Sequence, residues 1–590
     1  MSLDYWFIHF VWTIPPAVIL TLFSWPFITR LELYKILTLI TIAVVATIPW
    51  DSYLIRTKVW TYPPQGVVGT TLFSIPIEEV FFFFIQTYTT AIFYTLLTKR
   101  LVMATYLGPH HGSQERLQSF ITSLVSAGFV AGALGVWIGG KTTYLGLILV
   151  WVCPVFMFQW ILSGGFLLRL PRKEVVASIL LPWLYLCVVD NRALESGVWA
   201  IEDNTKLNIQ VFGALEIEEA VFFLVTNVMI VLGIVTMDYV MAIAEYQIAK
   251  SPDIRERNPS LLGHIMLALG DWPQDEGFNF LKGLRHAVKV VSGKSQSMYM
   301  GSAMFEGGLR IDLLLLYYFC RVSDDLVDEA PNHESAQLAI EHCSRALRKH
   351  FGGQGSGEKE EGIGMPSTLQ ASVALLPTSR LSMEPFLSLL AGFKTDLGFS
   401  VAKSSFPIQT DQDLNTYAYN VAGSVAASIL QLVFKHYQPP SSKRDGEKQA
   451  RIINAGENMG QALQYVNIAR DIAHDAAIGR VYLPTCWLAE EGLKPTDVLA
   501  SPNSAGVKRL RARMLDLADA VYVENVAVID ELPAEVRGPI RTVVESYMMI
   551  GTMVRQDAGD SCNGKLKLSL WRRLGVAWMA MCDMGRLGAS

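Results

Sequence analysis

Residues 76–87 read PIEEVFFFFIQT and residues 215–226 read LEIEEAVFFLVT. Each places a pair of glutamates at the head of an apolar run long enough to continue across a bilayer. A carboxylate at that depth costs a few kcal/mol on insertion scales and normally faces a cavity or a partner. A glutamate at a helix N-terminus is also favoured simply by the helix dipole. Two copies with the same Phe-rich continuation favour the cavity, because capping requires neither adjacent acids nor flanking aromatics.

The two copies belong to a longer repeat. A shift of 139 aligns Trp12 with Trp151, Pro15 with Pro154, Arg30 with Arg169, Asp51 with Asp190 and Trp60 with Trp199. One inserted residue later, a shift of 140 aligns Glu78 and Glu79 with Glu218 and Glu219, and Phe82 and Phe83 with Phe222 and Phe223. The repeats cover about 1–100 and 140–240. Apolar stretches that can span a bilayer, roughly 20 residues each, lie near 5–23, 33–50, 73–97, 120–139, 144–168, 175–189 and 215–236, the sixth being the shortest. Equivalent helices are four spans apart, so the copies share one orientation and can pair about a pseudo-twofold axis along the membrane normal.

Composition sets the outer limits. Of the 590 residues, 51% are hydrophobic and 17% charged, but 28 charges fall in residues 1–240, about 12%, against 75 in 241–590, about 21%. The expected organisation is all-α: a seven-helix membrane domain over 1–240, a polar connector over 241–285 and an all-α bundle over 286–590, with a flexible loop GGQGSGEKEEGIG at 352–364. A net charge of −5 without a basic run excludes nucleic acid as the main partner. Seven cysteines with no CxxC spacing form neither a disulfide framework nor a zinc site. The start, MSLDYWFIHFVW, lacks a basic n-region and reads as a retained membrane helix. Loops one, three and five carry eight Lys and Arg residues against five in the others, which places the N-terminus outside and the C-terminal half in the cytosol.

Chemistry follows from residue type. A carboxylic acid that keeps its proton can protonate an alkene, and aromatic faces stabilise the resulting carbocation through the ring quadrupole. Glu78, Glu79, Glu218 and Glu219 are the candidates; the spacing does not say which member of each pair donates, accepts or caps. The run Phe81–Phe84 serves equally as cation-facing rings or lipid-facing bulk, and Asp51 and Asp190, near the membrane boundary, are weaker candidates. In LLLLYYFCRVSDDLVDEA (313–330), Asp324 and Asp328 share a helix face with Arg321 and Tyr317. In MGQALQYVNIARDIAHDAAIGRVYLP (459–484), Gln464, Asn467, Asp471 and Asp475 form one polar stripe over three turns. Two acidic stripes on otherwise apolar helices point inward and require cations. Oxygen-only ligands suit Mg²⁺, with Mn²⁺ as an alternative, held between carboxylates and substrate phosphates. No P-loop and no dinucleotide-binding GxGxxG is present.

NIARDIAHDAAIGRVYLP is similar to the second aspartate-rich signature of the squalene and phytoene synthase family. YYFCRVSDDLVDE resembles its first signature, TYAYNVAGSVAAS its Tyr-rich segment and SQSMYMGS its N-terminal segment. This resemblance covers about 286–560. It implies an isoprenoid-synthase bundle that joins two geranylgeranyl diphosphates head to head, through prephytoene diphosphate, to phytoene. Carried over by match, Asp324, Asp328, Asp471 and Asp475 hold Mg²⁺ and diphosphate with Asn467 and Gln464. Arg321, Tyr317 and Tyr417 hold diphosphate or assist ionisation, and Ser295 and Ser297 contact substrate. Met298, Ser323 and Ala426-Ala427 depart from the usual pattern as conservative cavity-lining changes.

The front half resembles the small membrane lycopene β-cyclases that some bacteria make as two polypeptides, and the order of the halves is similar to the fungal bifunctional family that joins them. The resemblance implies acid-catalysed closure of lycopene, through γ-carotene, to β-carotene with no cofactor. It also implies a separate phytoene desaturase and an integral, multi-pass location. The competing readings are a non-catalytic lipid-binding anchor in front and a squalene- or dehydrosqualene-type synthase behind.

Overall fold

The computed structural model describes residues 4–64, 66–108, 112–250, 275–352, 365–437, 442–556 and 568–582. Among these the fold is helical, with strands of only two or three residues. The chain divides into two compact units, one reaching to Tyr246 and one running on from Lys282. Of the expected connector, residues up to 250 and from 275 are helical, while 251–274 lie outside the described residues, as do residues 353–364 of the expected loop.

Seven helices in the first unit are long and apolar enough to cross a membrane: α1 (Tyr5–Phe27, with a π-helical turn His9–Thr13), α2 (Arg30–Arg56), α3 (Ile77–Thr98), α4 (Gly112–Ile138), α5 (Thr143–Leu167), α6 (Arg172–Glu195) and α7 (Ile217–Lys250). The sixth span, expected to be the shortest, is an ordinary 24 residues. It begins directly after Pro171 on Arg172 and Lys173 and runs through both Pro182 and Asp190, charge and proline that a hydropathy reading trims away. Outward side chains are those of a lipid-facing surface: Trp137 is 84% exposed and Ile161 67%. Helices α4 and α5 meet through small residues; a Cβ on Gly132 would lie 2.7 Å from Leu149 Cβ, and one on Gly146 would lie 2.8 Å from the Gly132 carbonyl.

The repeat is built into the backbone. Left-handed residues recur at counterpart positions: Lys58 (φ 57°) and Gly197 (67°), Gly69 (88°) and Asn208 (56°), Phe73 (53°) and Gly213 (55°). Each repeat has a small hairpin before its Glu pair, β2–β3 (Thr71–Leu72, Ile75–Pro76) and β5–β6 (Gln210–Phe212, Leu215–Glu216). The repeats also pair with one another. Strand β1 (Trp60–Thr61) runs antiparallel to β4 (Ala200–Ile201), with the counterparts Thr61 and Ala200 directly opposite. Between α3 and α7, Gln86 Nε2 donates to Thr226 Oγ1 at 3.0 Å, again between counterparts. Both contacts straddle the pseudo-twofold axis.

The second unit is a helical bundle. Its longest helix, Lys443–Ala477, contributes Met459, Ala462, Tyr465, Val466, Ile468 and Ile472 to one large apolar core. An eighth segment apolar enough to cross a membrane, Asp411–Tyr437, belongs to this bundle and is largely buried in it. The buried helix Gly307–Asp328 is fixed near its start by Asp312, which accepts from Arg380 at 2.9 Å and meets His436 Nε2 at 2.7 Å. Replacing Asp312 with Ala removes the buried carboxylate that Arg380 and His436 share, so the second unit should lose about 3–5 kcal/mol. A chemical-denaturation series on the detergent-solubilised full chain measures this; an unchanged midpoint would show the pair to be dispensable.

Candidate functional site

The first unit has a narrow cavity lined from both repeats. Tyr5, Trp60, Tyr62, Glu79 and Phe82 come from the first, and Asp190, Trp199, Glu219, Phe222 and Phe223 from the second. The structure separates the members of each Glu pair. Glu78 Oε1 accepts the Val68 N–H at 2.8 Å and Glu218 Oε1 accepts the Leu207 N–H at 2.7 Å. Val68 and Leu207 are repeat counterparts, so both first glutamates brace the loop before their own helix. The second glutamates face the cavity. Glu79 accepts from the Tyr5 hydroxyl and from the Tyr62 hydroxyl at 3.0 Å; Glu219 accepts from the Tyr144 hydroxyl at 2.7 Å.

Tyr5 and Tyr144 are 139 apart and thus counterparts, whereas the counterpart of Tyr62 is Ile201. Of the Phe81–Phe84 run, Phe82 lines the cavity and Phe84 is 40% exposed. Phe222 stacks parallel to Trp50 at 5.6 Å and meets Trp60 edge-on at 5.8 Å. Asp51 and Asp190, the weaker candidates, are fully buried, and Asp190 lines the cavity beside Trp199.

In the second unit, α8 (Gly307–Asp328) carries Tyr317, Arg321, Asp324 and Asp328, and α12 (Lys443–Ala477) carries Gln464, Asn467, Asp471 and Asp475, with three further helices of interest between them: α9 (Glu384–Leu397), α10 (Asp411–Ala418) and α11 (Ser424–Tyr437). The two stripes converge on Arg480, just past the end of α12. Arg480 donates to Asp328 at 3.2 Å and lies beside Asp396 and Asp475. Arg321 is engaged by Asp325 at 2.6 Å and Asp324 at 3.3 Å, and Arg470 by Asp471 at 2.5 Å. Asn467 Nδ2 donates to Gln464 Oε1 at 3.3 Å, while Asn467 Oδ1 is buried without a hydrogen-bond partner. Ser295 lies beside Tyr317, and Ser297 Oγ accepts from Arg573 at 3.3 Å.

Asp396 on α9, Arg480 and Tyr482 complete the group. Tyr482 donates to Asp396 Oδ1 at 2.8 Å and stacks on Tyr417 of α10 at 5.0 Å. Arg480 and Tyr482 stand within the motif GRVYLP but beyond the helical stripe, which ends at Gly479 (φ 80°). Asp396 has no sequence partner to mark it. Ser323, expected to line a cavity, is instead fully buried beside Cys343 on the core side of α8, because it lies off the acidic stripe's face. Met298 and Ala426 do line a cavity, an apolar one of about 190 Å³ that includes Tyr317, Leu463, Ile529 and Val544. Tyr317 therefore belongs to both the acidic face and the apolar cavity.

The carboxyls fit a divalent cation. Burial first, then Asp328, pushes Asp324 up to about 6; burial, then Asp471, pushes Asp475 up to about 7; burial pushes Asp396 up to about 6. Such mutual repulsion is what a shared cation relieves. Among the described residues no three ligating side chains already converge on one point. A cation here would therefore complete its shell with oxygens from water or a bound ligand, as Mg²⁺ commonly does.

These features define a class: an all-α isoprenoid-synthase unit joined to a helical membrane unit. Residues 291–572 match the family Squalene/phytoene synthase. The whole chain is similar to bifunctional lycopene cyclase/phytoene synthases from Arthroderma gypseum (48% identity over 98% of this chain and 100% of the relative), Aspergillus oryzae (45%, 98% and 99%) and Colletotrichum graminicola (44%, 98% and 100%). The chain belongs to this bifunctional lycopene cyclase/phytoene synthase family.

Raised carboxyls give stability its own pH signature. Each of Asp324, Asp396 and Asp475 binds its proton more tightly folded than unfolded, so its contribution is complete at low pH and is lost as pH rises through about 6 to 7. In a chelator, the second unit should melt lower at about pH 8 than at about pH 5, and a divalent cation should reduce that difference. Thermal melts under the four conditions check this; melting that rises with pH in chelator would contradict it.

Proposed function

We propose that the second unit condenses two geranylgeranyl diphosphates to phytoene and the first cyclises lycopene. The observation that carries this reading is the pairing, in one chain, of an apolar cavity that meets an acidic helix face at Tyr317 with a separate cavity where glutamates face aromatic rings. A separate desaturase must convert phytoene to lycopene between the two reactions. The positive charge of the short loops supports an outside N-terminus and a cytosolic synthase unit, where soluble diphosphates are available.

In the synthase unit, the stripe residues Asp324, Asp328, Asp471 and Asp475, with Asn467 and Gln464, would hold Mg²⁺ or Mn²⁺ and the diphosphate. The cation would neutralise charge on the leaving diphosphate. Arg321 and Arg480 supply fixed positive charge beside the stripes, and Tyr317 places a phenol where the acidic face meets the cavity. Ser295 and Ser297 bracket the start of the short helix near Tyr317. The apolar walls accept the prenyl chains and exclude water from the carbocations that follow ionisation.

In the cyclase unit, one cavity carboxyl gives its proton to the terminal alkene of a linear end. The neighbouring double bond closes the ring, and a second carboxyl removes the ring proton, so no net redox change occurs. The rings of Trp60, Trp199 and Phe222 face the transient cation. Glu78 and Glu218 hold the loops that position their neighbours.

Two measurements test the reading. Asp324→Asn or Asp475→Asn should lower phytoene formation on the order of 100-fold, with lycopene cyclisation unchanged in cells supplied with lycopene. Conversely, Glu79→Gln or Glu219→Gln should lower cyclisation by about 10² to 10⁴-fold and leave phytoene formation intact. Unaltered cyclised product in both Gln variants would favour a lipid-binding anchor. Incubation with farnesyl or geranylgeranyl diphosphate and Mg²⁺, with and without NADPH, should yield mainly C40 product; a dominant C30 product would point to a squalene-type synthase.

A further inference from the structure

The duplication invites a simple division of labour in which each repeat closes one end of a symmetric substrate. The geometry points to something else: we propose that the membrane unit has one cyclisation cavity, built across the pseudo-twofold axis, and that the two ends of the polyene use it in turn. This inference rests on the cyclase reading above and specifies how that site is assembled.

Three observations carry it. First, Glu79 and Glu219 line the same cavity, together with aromatic walls from both repeats. The counterpart contacts that straddle the axis, Thr61 with Ala200 and Gln86 with Thr226, hold the repeats face to face around it. Second, the surroundings of the two carboxyls differ. Glu79 receives two phenol hydroxyls, from Tyr5 and Tyr62; Glu219 receives one, from Tyr144, because Ile201 stands where the second repeat would need a counterpart to Tyr62. Asp190 lines the cavity as a third carboxyl, with both of its oxygens buried. Two independent copies of a site would require equivalent surroundings, whereas one site with a donor and an acceptor requires different ones. Third, a second hollow of about 90 Å³, with apolar walls and polar Gln86, Gln159 and Thr226, adjoins the first at Phe222, so the space beside the carboxyls is apolar and belongs to a single reaction point.

The chemistry balances within one cavity. A proton leaves one carboxyl for the terminal alkene carbon; a carbon–carbon bond forms at the expense of the neighbouring π bond; the ring carbon returns a proton to the other carboxyl. Proton transfer back between the carboxyls restores the starting state, and no electron is gained or lost. A rigid C40 polyene is about as long as the hydrocarbon core is thick, roughly 30 Å, so one cavity holds one end at a time. The one-ring product must withdraw and re-enter reversed.

The test uses the full-length chain in proteoliposomes supplied with lycopene. Glu79→Gln and Glu219→Gln, made separately, should each lower the one-ring and two-ring products together by at least tenfold, leaving lycopene. A variant that makes the one-ring product at the wild-type rate and stops there would overturn the shared cavity while leaving carboxyl-driven cyclisation in place. Full two-ring output from both variants would instead defeat the cyclase reading itself. The wild-type chain provides a measurement independent of how the variants fold. A pulse of labelled lycopene followed by excess unlabelled lycopene should trap labelled one-ring product in the lipid; labelled two-ring product with no trappable one-ring species would overturn the proposal.

Discussion

The first unit depends on one constraint: a carboxyl group in a hydrocarbon layer must find its hydrogen-bond donors inside the protein, since water is not there to supply them. Tyr5, Tyr62 and Tyr144 supply donors to the two glutamates of the cavity, and the backbone N–H groups of Val68 and Leu207 satisfy one oxygen of each of the other two, whose second oxygens, like both oxygens of Asp51, are buried without a donor. Much of the surrounding architecture serves these contacts. The hairpins and the left-handed residues that recur at counterpart positions turn the chain so that Val68 and Leu207 present their amides to the helix starts. The pairing of Trp60–Thr61 with Ala200–Ile201 ties the two loop regions together over the cavity residues.

The second unit handles the same functional group in the opposite way. Its acidic side chains are numerous and cluster along two helix faces, where Arg321, Arg470 and Arg480 neutralise part of their charge. What remains unneutralised is visible in the upward displacement of Asp324 and Asp475, each repelled by a carboxylate one helical turn away. A few buried acids in one unit and clustered acids in the other suit proton transfer and cation-assisted ionisation respectively.

Much of this was legible in the linear chain. Helical periodicity and apolar length located the seven spans, and the 139-residue shift exposed the duplication, because both are properties of local pattern. The stripes on α8 and α12 were legible for the same reason. The phenol donors were not, since Tyr5 meets Glu79 across 74 residues and Tyr144 meets Glu219 across 75, separations at which periodicity carries no information. The repeat did contain a clue: Tyr5 and Tyr144 stand at counterpart positions, but only the contact reveals why. Asp396 offered no clue, being a single acid on a separate helix whose role depends on Tyr482 and Arg480 arriving from elsewhere. Charged ends and one internal proline, Pro182, also hid the true length of α6, because hydropathy averages penalise residues that a bundle interior accommodates.

The substitution of Ile201 at the position equivalent to Tyr62 has a consequence for why the repeats are fused. A twofold assembly of identical chains must repeat every residue on both sides of its axis, so any change near one carboxyl is imposed on the other. Placing both copies in one polypeptide removes that obligation, and each half is free to drift. A phenol can be kept on one side and discarded on the other without touching the axis contacts that hold the halves together. Tandem fusion thus converts a symmetric vessel into one with a distinguishable left and right.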